Sequence, residues 1–300
     1  MSKKTLKVSA KSDGLRLDKF LASQLDSLSR AKITTLINKG SILVNGLVKK
    51  ASFHLKKDQS IEVKIEKEKK ELKPFDFAVN IIYEDDDLIV VDKPSGLVVH
   101  PPQQNYYKTL VNALINLGKE LSDINDLRPG VVHRLDKETS GVIVLVKNNQ
   151  AHHSLVEQFK QRTVKKEYRA IVWGKLNKKK LRVTAPLGRD TKNRLKMKVS
   201  FLKSKSARTD IEVIDPLDGA TYLCLLPLTG RMHQIRVHLK FLEFPIVGDK
   251  KYGIKDDYDK LFLHAKELSF KHPKTGKLLK FSSPVPERFK KFIKEHSLEN

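Results

Sequence analysis

The stretch VVHRLDKETSGVIVLVK, residues 131–147, places a cluster of charged side chains inside apolar sequence that favours β-strands. Its second half, GVIVLV at residues 141–146, is typical of a strand buried on both faces. Burying an unpaired carboxylate is costly, so a sequence that places Asp136 between two apolar segments normally has a use for it. The pattern alone leaves two interpretations open, a chemical role for Asp136 or a polar turn that this aspartate caps.

The net charge of the chain predicts a polyanionic partner. The 300 residues include 59 Lys and Arg against 35 Asp and Glu, a formal net charge of +24, and such an excess binds phosphates through counterion release. No apolar run approaches the roughly 20 residues of a membrane span, and the start MSKKTLKVSA lacks the apolar core of a signal peptide. We therefore expect a cytoplasmic protein without a membrane partner, and a monomer because like charges repel.

Motifs for metals and nucleotide cofactors are missing from the sequence. The single cysteine rules out an intrachain disulfide and a cysteine-based zinc site. There is no GxGxxG, GxxxxGK[ST] or HExxH, and the ten histidines lack partners at metal-ligand spacing. We predict neither a metal site nor a cofactor.

The first quarter of the chain is predicted to be a small basic domain. Residues 1–73 contain 18 Lys and Arg against 8 Asp and Glu. The predicted elements are a helix with apolar residues at 17, 20, 21 and 25, a helix over 31–38 capped by Ser29, a hairpin over 42–48 around Asn45-Gly46, and a strand over 61–65. The charged segment EKEKKELKP, residues 66–74, predicts an interdomain linker.

This order of two helices followed by hairpins resembles the S4 RNA-binding domain. The matching segments are RLDKFL, SR and NKGSILVNG, within residues 14–65. The resemblance implies that basic side chains of this domain bind RNA, and we assign that role to Arg16, Lys19, Arg30 and Lys32.

From about residue 80 the sequence mixes strands and helices without the regular alternation of a doubly wound parallel sheet. Strands are predicted over residues 88–91, 141–146, 168–172, 207–213, 222–225 and 235–239, and helices over 109–117 and 152–162. The segment DLIVVDKPSGLVVHP, residues 87–101, predicts two strands joined by a Lys-Pro-Ser-Gly turn.

Several segments in this region carry polar residues in a fixed order. They are DLIVVDKPSGLVVHP, HRLDKETSG at 133–141, KEYRAIVWG at 166–174, TGRMHQIRVHL at 229–239 and VGDKKYG at 247–253. Together they resemble the RluA-type family of RNA pseudouridine synthases, over nearly the whole chain. The implied fold is α+β: a small S4-like α/β domain with its linker over residues 1–73, then a catalytic domain over 74–300. This second domain is expected to have a large, mainly antiparallel mixed sheet flanked by helices.

The resemblance also implies a reaction and its residues. The family isomerises uridine in RNA to pseudouridine without a cofactor, breaking the N-glycosidic bond and joining C5 of the base to the sugar. Asp136 matches the catalytic aspartate, and Arg236 matches an arginine expected to hold that carboxylate by forked hydrogen bonds. Tyr168 matches a tyrosine whose ring can pack on the base and whose hydroxyl is a candidate for handling the C5 proton. Arg134 is implied to occupy the space left by the flipped nucleotide, and Arg231 is grouped with it as an RNA contact.

Two questions about function stay open at this level. The S4-like domain and high positive charge favour ribosomal RNA of the large (23S-type) subunit, with tRNA as the alternative substrate. The other functions considered are a non-catalytic RNA-binding ribosome-assembly protein and an RNA-directed N-glycosidase. The intact set of Asp136, Tyr168 and Arg236 argues against a non-catalytic RNA-binding protein. Release of free uracil would identify an N-glycosidase.

Overall fold

The computed structural model describes residues 2–25, 30–65, 72–102, 107–126 and 128–298. Contacts divide the chain into two compact units, Met1–Lys70 and Glu71–Asn300. None of the helices within the described ranges combines the length and apolar character needed to cross a membrane.

The N-terminal unit packs two helices on a three-stranded antiparallel sheet of order β1-β3-β2. Its elements are β1 (Ser2–Lys7), α1 (Leu17–Gln24), α2 (Arg30–Asn38), β2 (Ile42–Val44) and β3 (Ser60–Ile65). Apolar residues at helical spacing on α1, including Leu17, Phe20 and Leu21, are buried in its core. Both predicted helices are therefore confirmed, while the proposed cap Ser29 lies outside the described residues.

The predicted Asn45-Gly46 turn is present, with φ values of 50° and 78° that suit these two residue types. The hairpin itself is shorter than predicted. After the turn only Leu47 bridges back to Val44, and β2 pairs instead with β3 further along the chain.

The second unit is built on a nine-stranded sheet of order β4-β5-β6-β13-β7-β12-β11-β8, with β14 paired to β13. Its strands are β4 (Asn80–Glu84), β5 (Leu88–Lys93), β6 (Ser140–Val146), β7 (Lys165–Trp173), β8 (Lys180–Thr184), β11 (Arg208–Leu217), β12 (Ala220–Pro227), β13 (Leu263–Lys271) and β14 (Leu278–Ser282). A separate hairpin pairs β9 (Leu187–Arg189) with β10 (Met197–Val199). Every pair in the large sheet is antiparallel except β6 with β13, so the expected mainly antiparallel mixed sheet is confirmed.

Helices cover both faces of this sheet. They are α3 (Leu110–Asn116), α4 (Asn149–Gln161), α5 (Gln234–Phe241) and α6 (Glu287–Glu295). All seven residues of β6 are buried, as its unbroken apolar run predicts. Alternate residues of β6 enter two different cores: Ile143 and Leu145 pack in the core of α3, and Val142 and Val144 pack in the core of α4.

The predicted linker over residues 66–74 falls mainly outside the described residues. From Leu72 onward the chain packs against the second unit, where Phe75, Phe77 and Val79 contact the core around α3. The Asn112 side chain of α3 also donates a hydrogen bond to the Lys73 carbonyl at 2.7 Å.

Two predictions of local structure are wrong. Residues 235–239 form the centre of helix α5 and not a strand. After the Lys-Pro-Ser-Gly turn there is no second strand, because Val98 makes only an isolated bridge to Thr109.

Helix α4 also starts three residues earlier than predicted, since the Asn148 side chain caps it by accepting from the Ala151 amide at 2.9 Å.

Candidate active site

Asp136 lies in the loop that leads into β6, and neighbouring backbone holds this loop in place. The Thr139 amide donates to the Asp136 carbonyl at 3.1 Å, closing a tight turn. The Lys-Pro-Ser-Gly turn braces the loop from outside, because the Gly96 amide donates to the Lys137 carbonyl at 2.9 Å and the Ser95 hydroxyl donates to the Glu138 carbonyl at 2.7 Å. The sequence indicates no more than a turn for the Lys-Pro-Ser-Gly segment. In the structure this turn supports the loop that carries Asp136.

Lys93 is a fully buried cation in this support. Its ammonium group donates to the carbonyls of Pro94 and Leu97, both at 2.9 Å, and of Lys137 at 3.2 Å. Burial lowers the pKa of Lys93 to about 7, although the nearby negative charge of Asp136 opposes the shift. Lys93 is not among the site residues predicted from the sequence. The sequence shows only that a lysine ends an apolar strand, which does not indicate a role in the site.

The far end of the loop is fixed by close contact between two strands. Gly141 has φ +112°, and a Cβ there would collide with the backbone of Ala265 on β13. Only glycine allows the parallel pair of β6 and β13 to approach this closely. The loop carrying Asp136 is thus held at both ends.

Arg236 on α5 binds two carboxylates, and its main partner is not the predicted one. Its Nε and Nη2 atoms donate to Asp249 at 2.8 and 2.6 Å, whereas Nη1 lies 3.6 Å from Asp136 Oδ2. The expectation that Arg236 forms its paired hydrogen bonds with Asp136 is therefore wrong. The paired hydrogen bonds go to Asp249 in the VGDKKYG segment, and only Nη1 lies near Asp136. Burial alone would raise the pKa of Asp249, but the Arg236 hydrogen bonds and charge lower it below its ordinary value.

His233 presents a second donor to Asp136. Its Nε2 lies 4.0 Å from Asp136 Oδ2, and its Nδ1 lies 2.7 Å from the Tyr252 hydroxyl. That hydroxyl also accepts from the Met197 amide at 2.8 Å, so Tyr252 holds the His233 ring in place. Burial lowers the pKa of His233, in agreement with a neutral imidazole, and the charge of Asp136 opposes this shift.

Tyr168 lies on β7, in the wall of a cavity that Asp136 also lines. Burial, and then the negative charge of Asp136, raise the pKa of Tyr168 above its usual value. The phenol therefore stays protonated near neutral pH. It offers a ring face and a hydrogen-bond donor to the cavity.

This first cavity has a volume of about 550 Å³, within the range of small-ligand sites. Besides Tyr168, it has apolar walls formed by Val132, Leu135, Ile235 and Leu263. Basic side chains also line it, namely Arg134, Lys160, Arg162, Lys166 and Arg231. Burial, and to a lesser degree Arg162, lower the pKa of Lys166 to about 8.

A second cavity of about 730 Å³ shares a wall with the first. The residues common to both are Arg134, Leu135, Asp136, His233 and Arg236. Asp136 therefore stands at the junction of two spaces, and 19% of its side chain is exposed there.

The residues predicted to bind RNA fall into two groups. Arg134 lines both cavities, and Arg231 lines the first, where its Nε donates to the Ser206 carbonyl at 3.0 Å. The others belong to the N-terminal unit. Arg16 forks to Asp18 at 3.0 and 3.3 Å, and Lys19 is exposed on α1. Arg30 and Lys32 lie on α2, and their side chains are outside the described part of the chain.

One group of side chains in the described ranges has the spacing of metal ligands, formed by Asp85, Asp87 and His272. Its donor atoms are already occupied. Asp85 accepts from the amides of Asp87 and Leu88, from the Tyr83 hydroxyl and from His272 Nε2. The group lines neither cavity, and its bonding is that of a structural network at the β4–β5 turn.

Asp136 is a supported carboxylate at the junction of two cavities that both carry basic side chains, and the first also has an aromatic ring and apolar walls. Such a site is suited to chemistry on a nucleoside that has been turned out of its stack. Comparison with known families identifies the class. The family described as RNA pseudouridylate synthase matches residues 87–241, and the S4 domain matches residues 15–61. The chain belongs to the RNA pseudouridylate synthase family and is an RNA pseudouridine synthase with an N-terminal S4 domain.

Individual relatives agree with this assignment. The chain is 40% identical over 282 residues to the RNA pseudouridine synthase YlyB of Bacillus subtilis, covering 93% of each chain. It is 39% identical over 289 residues to the ribosomal large subunit pseudouridine synthase D of Neisseria meningitidis serogroup A, covering 91% of this chain and 76% of the relative. Among solved structures, human RNA pseudouridylate synthase domain containing 1 superposes with a TM-score of 0.58 at 26% identity, covering 70% of this chain and 84% of that one.

Proposed function

We propose that this enzyme isomerises uridine in large-subunit ribosomal RNA, with Asp136 as the nucleophile and no cofactor. The substrate is supported by similarity to proteins named ribosomal large subunit pseudouridine synthase D, together with the S4 domain and the net charge of +24. The same chemistry on tRNA is the alternative.

The position of Asp136 is the observation that carries the proposed mechanism. Arg236 Nη1 and His233 Nε2 both approach Oδ2, while part of the carboxylate is open to the cavities. Because the fork of Arg236 is occupied by Asp249, only one nitrogen of the guanidinium approaches Asp136, and the carboxylate is oriented without having both oxygens bound. A carboxylate in this state can attack an electron-poor sugar carbon.

The steps balance without an oxidant or a second substrate. An Asp136 oxygen attacks C1′ of the ribose, and the C1′–N1 bond breaks with its electron pair going to the uracil. The base rotates, C5 attacks C1′, and the carboxylate is released. The C5 proton then passes to solvent water, and N1 takes up a proton from the solvent, so the number of protons is unchanged.

The first cavity supplies what the detached base requires. Its apolar residues would lie against the detached base and limit the access of water that would otherwise hydrolyse the intermediate. The neutral Tyr168 offers a ring face against which the base can turn, and a hydroxyl that can donate to it.

The test is tritium release from large-subunit ribosomal RNA transcripts carrying uridine labelled at C5. Asp136→Asn keeps the shape of the side chain but removes its charge, so we expect release to fall by at least about 10³-fold. RNA affinity should stay within about threefold, because it is spread over many Lys and Arg. Glu138→Gln, which neutralises an adjacent carboxylate, should retain most of the rate, and a normal rate for Asp136→Asn would disprove the assigned role.

Product analysis separates the remaining alternatives. Pseudouridine in the digested RNA supports isomerisation, whereas free uracil would indicate an N-glycosidase. Tritium release from tRNA, with none from ribosomal RNA, would replace the proposed substrate by the alternative one.

A further inference from the structure

We propose that the second cavity is a phosphate-binding subsite for the RNA backbone beside the flipped uridine, with Lys196 and Lys251 as its main ligands. This inference rests on the proposed reaction at Asp136, because that reaction fixes where the ribose lies.

The geometry of a nucleotide assigns the two cavities different contents. C1′ of the target must lie at Asp136, and the first cavity suits the base because its walls include the Tyr168 ring and apolar side chains. The base is attached to the ribose at C1′, whereas the phosphates are attached through C3′ and C5′. With the base in the first cavity, the backbone is therefore directed into the space on the other side of Asp136, which is the second cavity.

The charges lining the second cavity suit an anion. Its basic residues, apart from Arg236, are Arg134, Lys137, Lys196, Lys250 and Lys251, and its acidic ones, apart from Asp136, are Glu138 and Asp259. Lys137 lies 3.9 Å from Glu138, and Lys250 lies 4.0 Å from Asp256. Within the described part of the chain, Lys196 and Lys251 have no such ion pair.

Hydrogen bonds bring these two lysines together from distant segments. The Lys251 ammonium donates to the Leu195 carbonyl at 2.8 Å, which places it next to Lys196 at the tip of the β9–β10 hairpin. Its backbone amide donates to Asp249 Oδ1 at 2.9 Å, the carboxylate that also holds Arg236. Lys251 is thus anchored to the hairpin at one end and to the active site at the other.

This arrangement brings positive charges close together, with no carboxylate in ion-pair distance of either lysine among the described residues. Burial lowers the pKa of Lys251, and the neighbouring charges of Arg236 and Lys196 lower it further, while Asp136 opposes them. A phosphodiester between Lys196 and Lys251 would relieve that repulsion and accept two charge-assisted hydrogen bonds. The Leu195 carbonyl accepts a hydrogen bond from one N–H group of the Lys251 ammonium. The other N–H groups can donate to such a ligand.

The experiment measures the dissociation constant of a large-subunit ribosomal RNA transcript against salt concentration. The full chain is used in the Asp136→Asn background, so that the RNA is not consumed. Each lost phosphate contact lowers the slope of log Kd against log salt by about 0.7–0.9. We expect Lys196→Gln with Lys251→Gln, which together lose one phosphate, to lower it by about 0.7–0.9 and to weaken binding about fivefold at 0.15 M salt.

A matched pair of substitutions controls for the general loss of charge. Lys205 and Lys255 are exposed, lie near the same two segments and line neither cavity. Lys205→Gln with Lys255→Gln should change the slope by less than about 0.4, and Lys196→Arg with Lys251→Arg should restore it. Equal slopes for the two glutamine pairs would overturn the subsite.

A second measurement places the contact next to the target. Once tritium release has mapped the uridine, a methylphosphonate is introduced at the linkages on either side of it in a short RNA. One of these neutral linkages should weaken binding to the parent chain and have little effect on the Lys196→Gln, Lys251→Gln variant. An equal loss in both chains would overturn the proposal. Wild-type protein that forms no pseudouridine in any RNA would instead overturn the proposed function.

Discussion

Arg236 divides its guanidinium between two carboxylates with different tasks. Asp249 is 1% exposed and takes the forked hydrogen bonds, while Asp136 faces the cavities and meets only the remaining nitrogen. Asp249 therefore fixes the position of Arg236, whose remaining nitrogen approaches Asp136.

Replacing Asp249 by Asn tests this role. The substitution leaves the Arg236 charge buried without its partner, so we expect the free energy of unfolding to fall by about 3–5 kcal/mol. Asp210 pairs with Arg182 and Arg208 on the sheet surface, and Asp210→Asn should cost below about 1 kcal/mol. Urea unfolding of both variants measures the difference, and similar losses would contradict the assignment.

Lys93 predicts how stability changes with pH. Its pKa is lowered to about 7 in the folded chain, against about 10.4 when unfolded. Between these values the unfolded state binds more protons, so the burial of Lys93 penalises folding less as pH rises. The unfolding free energy of the wild type, relative to Lys93→Met, should therefore increase by about 1 kcal/mol per pH unit between about pH 7.5 and 9.5. Parallel curves for the two proteins over this interval would show that the ammonium is not desolvated.

The candidate residues that line the cavities could be selected from sequence, whereas those that support them could not. Asp136, Tyr168 and Arg236 belong to motifs whose spacing is local, so the resemblance was sufficient to select them. Lys93 and Asp249 act through contacts with residues 44 and 13 positions away, respectively. Nothing in the chain between those positions indicates that they meet.

At the scale of elements, α5 shows why an apolar pattern can mislead. Residues 234–239 are all buried, although they include Gln234, Arg236 and His238. A helix enclosed on every side has no polar face, so its sequence lacks the 3.6-residue period. Apolar residues at 235, 237 and 239 then alternate as in a strand, and only the contacts of Arg236 and His238 show why polar residues occupy the interior.

The contact between β6 and β13 gives a prediction for Gly141. Gly141→Ala would force the strands apart beside the catalytic loop, because the added Cβ meets the Ala265 backbone at a positive φ. We expect a loss of at least about 3 kcal/mol in unfolding free energy and a large loss of turnover. Gly96→Ala has a similar φ of +92° but no atom within 4 Å of the new Cβ. It should cost only about 1–2 kcal/mol, and equal effects at the two sites would rule out a steric origin.

For the whole molecule, the two units suggest a division between affinity and chemistry. The N-terminal unit has its own core, and residues from Leu72 onward pack with the catalytic unit, so a cut after residue 70 removes the first core cleanly. A chain of residues 71–300 should bind ribosomal RNA more weakly and with a shallower salt dependence. Filter binding over a salt series measures both quantities, and unchanged binding would mean that the S4 domain does not contribute to RNA affinity.

The order of strands also determines when the enzyme becomes active during its own synthesis. Tyr168 is on β7 and the Asp136 loop precedes β6, yet these neighbouring strands in sequence are separated in the sheet by β13. At about 5–20 residues per second, translation reaches the end of β13 roughly 5–20 seconds after the end of β7. When β7 has been made, a nascent chain carries Asp136 and Tyr168 but lacks α5 with Arg236, and until β13 follows it also lacks the strand that lies between β6 and β7. We therefore expect no turnover from a chain that has not reached the end of β13. A product terminated before residue 263 would be catalytically silent for the same reason.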